Sequence, residues 1–195
     1  MYGDDMMQCG LEALLAVNGI DIEHGQQALY EALRMQCFAT VCDVLREDRG
    51  AYLQALQDFR KWMNPAAFAE EMVVAHCGYR LDEESYAALG NLFACFFRKN
   101  DVRITYPQIV RKRIAQQQKG KCAICGRPIT HKSDLDHIIP WIYVGDTLTD
   151  NLQLLCRDCN SKKRASLIYP LQVLLQRGNR DRENSWATAD KTLII

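Results

Sequence analysis

The sequence predicts an α+β chain: a helical first half followed by a smaller, zinc-stabilised segment with strand character. Three observations carry that prediction. Apolar residues keep a helical rhythm through the first hundred positions. That rhythm stops between about 121 and 165. Within this stretch lie two C-x2-C pairs, Cys122/Cys125 and Cys156/Cys159. The chain has 195 residues, 48% of them hydrophobic and 25% charged, enough apolar material to build a core. No run approaches the roughly 20 apolar residues of a membrane-spanning helix, so no membrane association is expected. The N-terminus, MYGDDMMQCG, has no basic leader followed by an apolar stretch, and a cytoplasmic location is expected.

In order along the chain, GLEALLAV at 10–17 is helix-compatible. A second helix is expected over 26–38, with Ala28, Leu29, Ala32, Leu33 and Met35 at i, i+3/i+4 spacing. A third covers 51–63, through Leu53, Leu56, Phe59 and Met63. Asn64-Pro65 reads as an N-cap and first-turn proline opening a helix over 65–77. Asp82 caps another over about 83–98. A boundary is expected at Asn100-Asp101. Beyond it, a basic helix at about 107–118 ends at Gly120 and carries Arg111, Lys112 and Arg113, either as a solvated face or as phosphate contacts. SDLDHII at 133–139 is strand-like and stopped by Pro140, and NLQLL at 151–155 reads as a short apolar connection. Residues 157–165 read as a short helix, and a last helix runs from Pro170 to Gly178. Three regions follow: 1–100 helical, 101–180 zinc-stabilised, 181–195 a polar tail.

Charge divides the same way. Residues 1–100 hold 8 Lys/Arg and 15 Asp/Glu, and residues 101–195 hold 16 and 9. An acidic half is joined to a basic half that would suit a polyanion. The nine cysteines are odd in number and argue against a disulfide framework. Cys9, Cys37, Cys42, Cys77 and Cys95 are scattered through the acidic half as small buried hydrophobes. Cys122, Cys125, Cys156 and Cys159 form two knuckles separated by 30 residues, four soft ligands suited to a structural Zn²⁺. Gly126 permits the left-handed backbone that such a knuckle uses. A redox C-x-x-C would need only one pair. His24 and His76 read as structural, and His131 as a spare loop histidine.

The text C-A-I-C at 122–125, D-H-I-I-P at 136–140 and N-L-Q-L-L-C-R-D-C-N-S-K-K at 151–163 resembles the HNH endonucleases, the ββα-metal nucleases, over about residues 105–165. The resemblance implies metal-dependent hydrolysis of DNA phosphodiesters, leaving 5′-phosphate and 3′-hydroxyl ends. It implies His137 as general base, Asp136 and Asn160 as ligands of a catalytic Mg²⁺ or Mn²⁺, and Asn151 as the residue that holds the His137-bearing segment. The chemistry suits these residue types: an imidazole accepts a proton near neutral pH, and carboxylate and amide oxygens suit a hard cation. Many members of the family carry histidine where this chain has Asn160, and asparagine favours Mg²⁺ or Mn²⁺ over softer metals. Lys163 lies one helical turn after Asn160, in reach of a phosphate. Neighbouring strand residues face opposite ways, so the strand must distort or end at Asp136-His137 for both to serve one metal. W-I-Y-V-G-D at 141–146 is more apolar than the usual loop there. The expected role is restriction or defence in a prokaryote or phage, with the helical half supplying targeting, homodimerisation or a protein-partner surface. The rival roles are a non-catalytic zinc-bound nucleic-acid adaptor and an effector subunit active only in a larger complex.

Overall fold

The computed structural model describes residues 21–173, apart from 63, 131 and 149. The helix expected at 10–17, the spare His131, the polar tail and most of the helix expected from Pro170 lie outside the described residues. Leu33–Leu167 forms one compact unit, and the described residues on either side of it belong to a second. The boundary expected at about residue 100 therefore falls inside one unit. No helix among the described residues is long and apolar enough to cross a membrane.

Among the described residues, four helices build the first part: α1 (Ile22–Glu47), α2 (Arg49–Lys61), α3 (Pro65–Cys77) and α4 (Glu83–Arg98). Their starts are set by caps that satisfy otherwise orphaned amides. Asp48 accepts from the Gly50 and Ala51 amides, Asn64 from Ala66 and Asp82 from Ser85. Pro65 opens α3, and Gly78, at φ 71°, ends it in the left-handed conformation. The first of these helices runs well past the end expected at 38. Its continuation is apolar at helical spacing: Phe38, Val41, Cys42 and Leu45 are all buried.

These side chains meet Phe68, Val73, Leu89, Phe93 and Phe96 in one core. Phe38 and Phe93 ring centroids lie 5.2 Å apart, and Phe68 and Phe93 5.7 Å. Each such buried ring contributes about 1.5–3 kcal/mol before entropy is counted. The scattered cysteines behave as expected where described: Cys37 and Cys42 are in the core, and Cys77 and Cys95 pack against it.

The second part follows with α5 (Gln108–Gln117), β1 (Asp134–His137), α6 (Trp141–Val144), β2 (Leu152–Leu155) and α7 (Arg157–Lys163). β1 and β2 pair antiparallel, with Asp134 opposite Leu155 and His137 opposite Leu152. The segment expected as a plain connection at 151–155 is thus a strand. A short apolar run does not announce its partner, and here β1 supplies one. The apolar W-I-Y-V stretch is explained by α6: Tyr143 and Val144 join the helical core, where Tyr143 meets Phe38 at 5.9 Å and its hydroxyl donates to Asp43 at 3.1 Å.

Helices α3 and α4 pack tightly at Gly90, where a Cβ would stand 2.6 Å from the Pro65 carbonyl carbon and oxygen. Backbone cannot yield as a flexible side chain does. Gly90→Ala should therefore destabilise the fold by about 1–3 kcal/mol, outweighing the ~1 kcal/mol that alanine gains in a helix. Denaturant unfolding of the two proteins checks this.

Candidate functional site

The four knuckle cysteines converge. Their Sγ atoms all lie within 4.8 Å of one another. Cys125 and Cys156 sulfurs are 3.7 Å apart, against the ~3.8 Å edge of a tetrahedron with ~2.3 Å zinc–sulfur bonds. The donor set and spacing fit a Zn²⁺ ion. Gly126, at φ 69°, makes the expected left-handed turn, with its amide donating to the Cys122 carbonyl at 2.9 Å. The Ala123 amide ties this knuckle to the Leu154 carbonyl of β2. Cys156 caps α7 by accepting from the Cys159 amide. Burial pushes the Cys125 thiol up, but hydrogen bonds from Arg127 outweigh it and bring the thiol down to about 6. The same guanidinium pairs with Asp158 at 3.1 Å.

One face of β1 carries Asp134 and Asp136. Asp136 Oδ2 accepts from Gln153 Nε2 at 3.0 Å and pairs with Lys163 Nζ at 3.0 Å. Asn160, on α7, donates its Nδ2 to Asp134 Oδ2 at 3.1 Å. Both of these bonds of Asp136 fall on Oδ2, and Asn160 keeps its amide oxygen as a donor atom. This oxygen-only set suits a hard divalent cation. Asp134 and Gln153 were not foreseen. The signal for Asp134 was available: it sits two residues before Asp136, hence on the same face of a strand.

His137 is on the other face of β1, with Leu135 and Leu152, and its Nε2 lies 2.9 Å from Asp146 Oδ1. β1 includes both Asp136 and His137 in regular register and ends at His137, without the distortion that would turn both side chains to one metal. The structure thus brings Asp136 and Asn160 to one face and turns the imidazole to the other. Asn151 is buried and clasps the chain just after the strand: its Oδ1 accepts from the Ile139 amide at 2.7 Å and its Nδ2 donates to the Ile139 carbonyl at 2.8 Å. Asp146 is itself a further residue that sequence reasoning missed. No spacing rule links it to His137; the fold around α6 does.

The basic residues separate. Lys112 and Arg113 are exposed on α5. Arg111 turns inward and donates to the Ser133 carbonyl and Oγ. Lys163 is 1% exposed and donates to the His137 carbonyl at 2.8 Å as well as pairing with Asp136. Lys163 is thus held inside the protein, and Arg111, half-buried, is engaged with Ser133.

Residues 122–166 match the family model of the HNH endonuclease, so this segment is an HNH endonuclease domain. The chain is also similar to the CRISPR-associated endonuclease Cas9 of Corynebacterium diphtheriae, 44% identical over 55 residues. That alignment covers 27% of this chain, and this chain spans only 5% of that protein's length. No solved structure matches the chain.

The thiolate cluster has little apolar core of its own, so metal should be part of its folding. Cys156→Ser should lose the bound zinc and lower the melting temperature, while the parent carries one zinc per chain. Elemental analysis paired with thermal melting checks both.

Proposed function

We propose that the protein is a metal-dependent endonuclease that hydrolyses DNA phosphodiester bonds at the end of β1. The observation that carries this reading is the gathering of Asp134, Asp136 and Asn160 on one face inside the HNH match. His137 is the general base that takes a proton from the attacking water. Asp136 and Asn160 hold a Mg²⁺ or Mn²⁺ ion. When bound, such an ion neutralises charge on the phosphate and the leaving 3′-oxygen. Asn151 keeps the segment after His137 in place. Cys122, Cys125, Cys156 and Cys159 hold a separate structural Zn²⁺. The products carry 5′-phosphate and 3′-hydroxyl ends.

Lys112 and Arg113 are the α5 side chains placed to meet the DNA backbone. Arg111 and Lys163 act from within, the first on the segment before β1 and the second on its end. The Corynebacterium relative is by name a CRISPR-associated endonuclease, which supports a role in prokaryotic or phage DNA defence in the cytoplasm. As functional regions, 101–180 cuts DNA, and 1–100 binds a protein partner or a second copy, since its net negative charge disfavours DNA.

One observation favours a second reading, an effector subunit that cuts only within a larger complex: His137 faces away from the Asp136–Asn160 side. Nicking of supercoiled plasmid by the purified protein with Mg²⁺ or Mn²⁺ separates the two. The parent should nick alone; activity only with a partner would favour the second reading, and none in either case would leave the non-catalytic adaptor.

His137→Ala should lower the rate by about 10²–10⁴-fold with zinc content and melting unchanged. Asn160→Ala should raise the Mg²⁺ concentration needed, and Asn160→His should be milder and shift preference toward softer cations such as Co²⁺. A metal titration of nicking reads all three.

Charge reversal at Lys112 and Arg113 should flatten the salt dependence of DNA binding, by a slope of up to about 0.9 for each phosphate no longer neutralised, while the saturated rate holds. Binding isotherms across a salt series check the slope.

A further inference from the structure

The apolar W-I-Y-V-G-D segment ends in a carboxylate that is held with unusual completeness. The Asp146 side chain is 4% exposed. Oδ1 accepts from the Tyr106 hydroxyl and lies 2.9 Å from His137 Nε2. Oδ2 accepts from Trp141 Nε1 at 2.9 Å and from the Ile104 amide at 3.1 Å. Burial alone would push this carboxyl up, but the bonds from Tyr106, Trp141, Ile104 and His137 hold it well below the usual carboxylate range. Burial and the carboxylate together push Tyr106 up to about 12, so its hydroxyl stays a donor. The Trp141 ring is in turn covered by the Arg103 guanidinium, 4.8 Å from its centroid.

An ionised carboxylate only accepts, so the nitrogen facing it must carry the proton. In the neutral imidazole that is the Nε2–H tautomer, which leaves Nδ1 as the nitrogen able to accept a proton. A cavity of about 160 Å³ lined by Arg103, Tyr106, His137 and Asp146 gives water room beside the ring. Three of the four donors, Ile104, Tyr106 and Trp141, serve to lock the carboxylate. The fourth is the residue proposed above as the base.

We infer that Asp146 is a positioning residue for His137, holding the ring so that Nδ1 takes the proton of the attacking water. This rests on the nuclease reading above. In that step one proton of water passes to Nδ1 while the water oxygen bonds to phosphorus. The P–O3′ bond breaks, and the 3′-oxygen leaves with the electron pair and takes a proton from solvent water. The imidazolium, lying against Asp146, then returns its added proton to solvent.

The test combines steady-state cleavage with ¹⁵N NMR of the full chain, which has only four histidines. The His137 signals are assigned by their loss in His137→Ala. In the parent, His137 should be the Nε2–H tautomer. Asp146→Asn should lose that tautomer and lower kcat by about 10²–10⁴-fold at unchanged KM for DNA, the scale expected when a base is held in the wrong tautomer. In a His137→Ala background the same change should remove nothing further. Tyr106→Phe, which keeps the carboxylate but loosens it, should lower kcat less, again without changing KM; it decides the matter if Asp146→Asn does not fold. An Nδ1–H tautomer in the parent would overturn the inference. So would Asp146→Asn cleaving at the parent's kcat, or faster, the latter making Asp146 a latch over the base. In those cases a parent that cuts and a His137→Ala variant that does not would leave the nuclease reading standing. A parent inert on every DNA and metal tried, with or without a partner, would remove both.

Discussion

A single buried ammonium pins the segment that carries Asp136 and His137. Lys163 is 1% exposed and spans from the last turn of α7 to the end of β1, where it meets the Asp136 carboxylate and the His137 carbonyl. A charge taken out of water is tolerated only when paired and hydrogen-bonded. Breaking such a pair from one side typically costs about 3–5 kcal/mol, less where the partner keeps some solvent, as Asp136 does. The pairing ties the last turn of α7 to the last two residues of β1. It also explains why a helix of seven residues, far too short to persist alone, holds its place.

That helix joins three tasks in one stretch of chain. Cys156 caps it and Cys159 lies within it, both in the four-sulfur cluster. Asn160 follows and reaches Asp134, and Lys163 closes the turn. The four-cysteine cluster and the Asp134–Asn160 contact are thus coupled through the backbone of α7. On the opposite face the imidazole is governed by a different part of the fold, the segment from Ile104 to Tyr106 together with α6. Because α6 also lends Tyr143 and Val144 to the helical core, the acidic first part buttresses the ground on which His137 rests.

Legibility followed how local each cause was. The caps at Asn64 and Asp82, the proline of α3 and the left-handed turn at Gly126 act within a few residues, and each was readable from sequence. The four cysteines were readable because thiolates at that spacing have few other uses. Strand β2 was not, since Leu152–Leu155 becomes a strand only through β1. The inward turns of Arg111 and Lys163 were not either: a cation's sequence position says nothing about a carbonyl or carboxylate waiting 22 or 26 residues away. Asp146 lay furthest from view, because two of its four donors, the Ile104 amide and the Tyr106 hydroxyl, come from about 40 residues away.

In the proposed reaction, a water activated at His137 attacks phosphorus and expels the 3′-oxygen. Single-turnover cleavage in ¹⁸O-labelled water, with mass analysis of both product ends, tests it most directly. One ¹⁸O atom in the 5′-phosphate and none at the 3′-hydroxyl is the predicted result. Label at the 3′ end, or an unlabelled 5′-phosphate, would contradict it.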